Sequence, residues 1–168
     1  GASTWYPCKD LWSDEPDNGA ALTMIVPEEL TAIGNGRLKN SVSPNGKRSF
    51  IWEVTVPINT YNIIPYIGHY THWQDTLQGE GGKLDLGYWV LDYELEKAKT
   101  QFMQVKPTLR SFEHWFGPYP FYKDGYQLIQ SPYLGMEHQS AVAYGNGFQN
   151  GYMGSDLSGT GWGLKWDY

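Results

Sequence analysis

An α+β architecture is what the sequence predicts: a β-rich first part, then one long kinked helix and further strands. Period-two alternation of apolar and polar residues runs through the first half, as strands with one buried face require. A single apolar stripe at helical spacing follows, formed by Leu95, Ala98, Phe102, Val105, Leu109, Phe112 and Phe116 at intervals of 3, 4, 3, 4, 3 and 4. Composition agrees, with 8 Trp, 13 Tyr and 6 Phe set among 20 Gly and 10 Pro, which suits strands joined by many turns. The other use for so many rings is a stacking platform for a ligand.

Residues 1–19 are polar and irregular, ending in "SDEPDNG". In "ALTMIV" (21–26), Leu22, Met24 and Val26 alternate with Thr23 and Ile25. In "SFIWEVTV" (49–56), Phe50, Trp52, Val54 and Val56 share one face, and only Ile51 breaks the pattern. "PNG" at 44–46 predicts a turn between strand-like segments. Residues 62–77 read as extended, with Pro65 placing them at an edge or a bulge. "GEGG" (79–82) predicts another turn and "LGYWVLDY" (86–93) another strand. The helix follows, with Asp92 expected as its N-cap, Glu94 and Glu96 in its first turn and Gly117 at its end. Pro107 should kink or split it. Strands are predicted over 125–132 and 138–145, then a glycine-rich loop over 150–163, with "LKWDY" opening a last helix. The change from strands to helix predicts a boundary near residue 92. No internal repeat is evident.

Several function classes are disfavoured by bulk properties. The 168 residues carry 12 basic and 18 acidic side chains, a formal charge of −6, and no lysine- or arginine-rich run, so a nucleic-acid backbone is not the expected partner. No apolar stretch approaches the roughly 20 residues that span a bilayer. "GASTWYPCKD" has neither the basic nor the apolar region of a signal peptide and no initiator Met, so the chain reads as processed or as a piece of something longer. Cys8 is the sole cysteine and forms no intrachain disulfide.

The residue types available for chemistry are few. His69 and His72 form H-x-x-H, but on a strand positions i and i+3 point to opposite faces, which does not suit a metal pair. His114 lies on the helix beside Trp115, where a surface or capping role is expected. H-E-x-x-H, C-x-x-C, G-x-S-x-G and the P-loop pattern do not occur, and "GTGWG" (159–163) is not a dinucleotide fingerprint. No catalytic set and no metal ligands are assigned within the chain. That leaves "YLGMEHQSAVAYG" (133–145), which sets Glu137 and His138 at the mouth of an apolar strand-like run. A carboxylate there either has a protein partner or waits for a cationic ligand, because desolvating an unpaired charge is costly.

"GMEHQ" resembles the Gly-x-Met-Glu-Asn exopeptidase motif of the aminopeptidase N-like zinc metallopeptidases. "WYPCKD" with "SDEPD" (5–10, 13–17) is similar to the Trp-x-Pro-Cys-x-Asp and Asp-Glu-Pro segment late in that family's N-terminal β domain. "FEHWFGPYPF" (112–121) resembles the helix end and Phe-Gly-x-Tyr-Pro turn that open its catalytic domain. The three lie in the family's order and together cover most of the chain. The resemblance implies that residues 1–92 are the end of a β-rich domain and 93–168 the first part of a thermolysin-like peptidase domain. It also implies a parent metallo-aminopeptidase that cleaves N-terminal residues from peptides. By position, Glu137 matches the glutamate that binds the substrate α-amine, Met136 the methionine and Gly135 the small residue before it. Leu134 stands where the first glycine is usual and His138 where asparagine is usual, changes that bear on the first side-chain pocket. Substrate binding is thus expected of Gly135, Met136, Glu137 and His138.

In that family a helix bearing H-E-x-x-H follows and supplies two zinc ligands and the general base, with a third ligand further on. No such motif is present in these residues, so zinc is expected in the complete enzyme and not on this chain. The expected partner is a peptide with a free N-terminus, and the surface stripped of the rest of a catalytic domain is expected to self-associate. An exported or periplasmic compartment is favoured. Two other readings stand beside this one: a β-rich carbohydrate-binding module using exposed rings, and a non-catalytic relative of the peptidases.

Overall fold

Alternation in the first half does what it predicts. In the computed structural model, which describes residues 2–43 and 45–167, β1 (Ala20–Pro27) pairs antiparallel with β4 (Lys47–Val54), Leu22 opposite Trp52 and Met24 opposite Phe50. Met24, Val26, Phe50, Trp52 and Val54 are buried. β3 (Arg37–Val42) lies on the other side of β4, its register slipping between Leu38 and Asn40. The β3–β4 turn holds Asn45 and Gly46 at φ 55° and 72°, the left-handed pair that two-residue hairpins need; Pro44 of the predicted turn lies outside the described residues.

The extended run expected over 62–77 is interrupted. A 3₁₀ turn covers Thr60–Asn62, then β5 (Tyr66–Gly68) pairs antiparallel with β2 (Thr31–Ile33) in a two-stranded sheet, and β6 (Tyr70–Gly79) begins after His69. Pro65 precedes β5, so its missing N–H costs no ladder bond.

β6 forms a hairpin with β7 (Gly82–Leu91) and opens a five-stranded sheet of order β6-β7-β8-β10-β9. β8 (Tyr126–Gln130) is parallel to β7 and to β10 (Val142–Tyr144), while β9 (Gly135–Met136) is the antiparallel edge. Both faces of this sheet are covered. Leu84, Leu86, Tyr88, Val90 and Leu128 pack on the helix, whereas Trp89, Ile129 and Ala143 pack on Met24, Phe50 and Trp52 of the smaller sheet. That is why residues 86–90 read as a nearly continuous apolar run. Residue 92 therefore does not divide the strands: β6 and β7 precede it and pair with β8, and the change of sheet falls between β5 and β6. The predicted boundary followed the onset of helix, which starts in mid-sheet because a parallel β7–β8 connection needs a crossover.

The crossover is α1 (Leu95–Gln101), a 3₁₀ turn (Phe102–Gln104) and α2 (Val105–Phe116). The break precedes Pro107, which then sits in the first turn of α2, where an N–H is not needed. Asp92 is not the α-helix N-cap. It opens a 3₁₀ turn (Asp92–Glu94) without a side-chain cap bond, its N–H still bonded to His69 O (3.3 Å) as an extension of the sheet. Gly117 ends α2 at φ 90°, donating to Glu113 O (2.9 Å). Ala98, Phe102, Val105 and Leu109 of the stripe are buried, but Phe112 and Phe116 are 57% and 83% exposed.

Two further expectations are corrected. Residues 138–145 are not one strand, because Gln139 and Ser140 turn, Ser140 at φ 54°, and fold β9 back along β10. "LKWDY" opens no helix among the described residues: a 3₁₀ turn covers Trp162–Leu164, and Asp167 bridges to Gly151. Among the described residues, no helix is long and apolar enough to cross a membrane.

Fixed polar contacts join the smaller sheets to the large one. Asp124, fully buried, accepts from Thr55 N (2.9 Å), Thr55 Oγ1 (2.8 Å) and Val56 N (3.3 Å). Arg37 donates to Lys123 O (2.6 Å) and pairs with Asp85 (2.8 Å).

Candidate functional site

β9 is the last strand of the large sheet, hydrogen-bonded on one side to β10. Gly145 N donates to Leu134 O (2.8 Å), extending that ladder by a step. Gly145 has no alternative, since a Cβ built there would lie 1.6 Å from Tyr133 O. The opposite edge of β9 pairs with no strand among the described residues, leaving backbone donors and acceptors for an extended ligand.

Glu137 follows β9 and is exposed. Tyr61 Oη donates to its Oε1 at 3.3 Å. Among the described residues, no lysine or arginine forms an ion pair with it. Glu137 borders a cleft of about 430 Å³ between the helix and the β9 edge. Leu134 and Gly135 share its rim, Val105, Leu109 and Phe112 form the helical wall, and Leu128 and Val142 lie between. An unpaired carboxylate at the lip of an apolar cleft suits a cationic group carried on an apolar or extended body.

The four expected binding residues separate. Gly135 and Glu137 line the cleft, together with Leu134. Met136, at 39% exposure, is not on it, because successive strand residues point to opposite sides. His138 is buried at 6% exposure, with no hydrogen-bond partner for Nδ1 among the described residues. Burial lowers its pKa, and the Glu137 charge opposes that shift.

The buried imidazole predicts a pH dependence of stability. A folded pKa below the ordinary 6.5 means that, as pH falls through 6.5, the unfolded chain takes up the proton first, so stability is full above this value and declines below it. Urea unfolding at pH 7.5 and pH 5 should show this decline, and His138→Asn should shrink it. Equal declines in both proteins would place the titrating group elsewhere.

Sequence reasoning missed the residues that hold the motif from the other sheets. Asn35 Nδ2 donates to Gln139 O (2.7 Å) and Asn62 O (2.9 Å), and its Oδ1 accepts from Ile64 N (2.9 Å). Gly36 N donates to Ser140 Oγ (2.9 Å), and Gln139 Nε2 to Pro57 O (2.9 Å). These partners lie up to 104 positions apart, and nothing local in the sequence marks them.

His72 stacks on Trp89 (4.1 Å) and His114 lies edge-on to Trp115 (4.9 Å). Among the described residues, no three His, Cys, Asp or Glu side chains could hold a metal ion, so this donor set does not fit zinc. Trp52, Trp89, Phe50, Tyr88 and Phe102 are buried, while the exposed tryptophans fall in three separate segments, Trp5 with Trp12, Trp115, and Trp162 with Trp166.

The fold recurs in known structures. An M1 zinc metallopeptidase from Deinococcus radiodurans superposes with a TM-score of 0.76 at 20% identity, over 86% of this chain and 33% of that one. The chain has the fold of one part of the M1 zinc metallopeptidase structures. A variant of the Deinococcus enzyme bound to a Tyr-Ser-Ala substrate gives 0.75 at 20% identity, over 86% and 33%. Aminopeptidase A of Legionella pneumophila, in complex with aspartic acid, gives 0.67 at 21% identity, over 86% and 18%. The chain thus spans about a third of the length of the Deinococcus M1 structures. No family model and no curated protein sequence matches it.

Proposed function

We propose that this chain is the substrate-presenting part of a zinc-dependent M1 metallo-aminopeptidase that removes N-terminal residues from peptides. The smaller sheets form the end of its N-terminal β domain, and the five-stranded sheet with α1 and α2 the first part of its thermolysin-like catalytic domain. Glu137 receives the substrate α-ammonium, and the free edge of β9 receives the peptide backbone. Leu134 and Gly135 border the first side-chain pocket, where Leu134 narrows the space that a glycine leaves open. The observation that carries this reading is Glu137, exposed at the lip of an apolar cleft and without a cationic partner among the described residues. The metal centre is contributed by residues outside this chain, and zinc supplies the Lewis acid of the reaction when bound.

Incubating the full-length protein with Tyr-Ser-Ala should release tyrosine. A chelator should stop the reaction and added zinc restore it, while N-acetyl-Tyr-Ser-Ala should be a poor substrate. Cleavage of both peptides at equal rates, or activity that ignores the chelator, would remove the aminopeptidase reading. The 168-residue chain by itself should bind less than one zinc per molecule by metal analysis, because metal ligands are not grouped among its described residues.

A further inference from the structure

Resting on the amine-binding reading of Glu137, we propose that Tyr61 is a positioning residue: its phenol holds one carboxylate oxygen and leaves the other for the substrate ammonium. Tyr61 Oη lies 3.3 Å from Glu137 Oε1. A site awaiting its ligand often holds such bonds long and tightens them on binding. Burial and the neighbouring Glu137 charge both raise the pKa of the phenol, so it keeps its proton and remains a donor.

The segment bearing Tyr61 is itself braced. Asn59 caps its 3₁₀ turn, Oδ1 accepting from Tyr61 N (3.3 Å), and Asn59 Nδ2 bonds Trp12 O. Thr60 N donates to Asp14 O (3.1 Å), Thr60 O accepts from Tyr6 Oη (2.7 Å), and the Trp12 ring lies 5.0 Å from that of Tyr61. The same stretch reaches the motif twice more, through Pro57 O to Gln139 Nε2 and through Asn62 O to Asn35, which also holds Gln139 O. Tyr61 thus approaches Glu137 from a frame already tied to the residues just after it. A long acidic side chain on an exposed strand end would otherwise sample several rotamers, and fixing it in advance lowers the entropy lost when the ammonium arrives.

The test is a double-mutant cycle in the full-length protein with Tyr-Ser-Ala and N-acetyl-Tyr-Ser-Ala as substrates. Tyr61→Phe keeps the ring and removes the donor. It should raise KM for Tyr-Ser-Ala about two- to tenfold, change kcat less than about twofold, and alter the rate on the acetylated peptide by less than about twofold. Added to Glu137→Gln, it should have no further effect on selectivity between the two peptides. Equal losses on both peptides, or full additivity with Glu137→Gln, would make Tyr61 a structural residue and overturn the proposal. If Glu137→Gln itself leaves selectivity unchanged, the amine-binding reading fails first and the proposal falls with it. Carbon-13 tyrosine NMR reads the same contact with Tyr61 intact: Glu137→Gln should lower the pH at which the Tyr61 phenol ionises, and an unmoved titration counts against the proposal.

Discussion

Glu137→Gln in the full-length protein is expected to lower kcat/KM on a free-amine peptide by about 10- to 150-fold for each charge-assisted bond lost. Such bonds are worth roughly 1.5–3 kcal/mol, and the amide keeps the shape while removing the charge. An N-acylated peptide offers no ammonium, so its rate should fall far less. Stability should hardly change, since Glu137 is exposed and the protein bond found for it is the 3.3 Å contact from Tyr61. Steady-state kinetics on the two peptides, with a thermal melt beside them, check all three statements. A melt that collapses, or losses that are equal on both substrates, would return Glu137 to the class of structural residues.

Gly145→Ala is expected to cost about 3 kcal/mol or more, at the upper end of single-substitution effects. A methyl group at that position would stand 1.6 Å from Tyr133 O and 2.5 Å from its carbonyl carbon. Backbone cannot yield as a side-chain tip can, so the 133–135 stretch must move away and give up the Gly145 N to Leu134 O bond. β9 is held in the sheet by the short ladder to β10, and Glu137 follows it directly. Activity should therefore fall on free-amine and N-acylated peptides alike, in contrast to Glu137→Gln. Urea unfolding and the two-substrate comparison separate the two variants, and an unchanged unfolding midpoint for Gly145→Ala would mean that β9 packs less tightly on β10 than described.

Much of the fold was legible because it is written in local periodicity. The alternation in 21–26 and 49–56 became β1 and β4, the stripe from Leu95 to Leu109 became the buried side of the crossover, and Gly117 ended the helix. The α+β class follows from those signals alone. Where periodicity failed, a contact distant in sequence had overridden it. Asp92 looked like a cap, but its N–H is taken by His69, so the sheet rather than the helix decides its geometry. Residues 138–145 looked like one strand, but Gly36 and Asn35 bind Ser140 and Gln139 and stabilise a turn there.

The candidate site divides along the same line. By itself the sequence determined that a Gly-Met-Glu segment lies next to an apolar run, and the resemblance of that segment made Glu137 the expected binder of a substrate amine. Tertiary structure alone decided that Glu137 and Gly135 share a cleft with α2, that Met136 leaves it, and that His138 is buried. It also decided that Tyr61, 76 positions away, touches the carboxylate. The physical reason is that periodicity reports which face of an element is apolar, whereas the position of a polar group depends on which distant donors and acceptors the packed sheets bring against it.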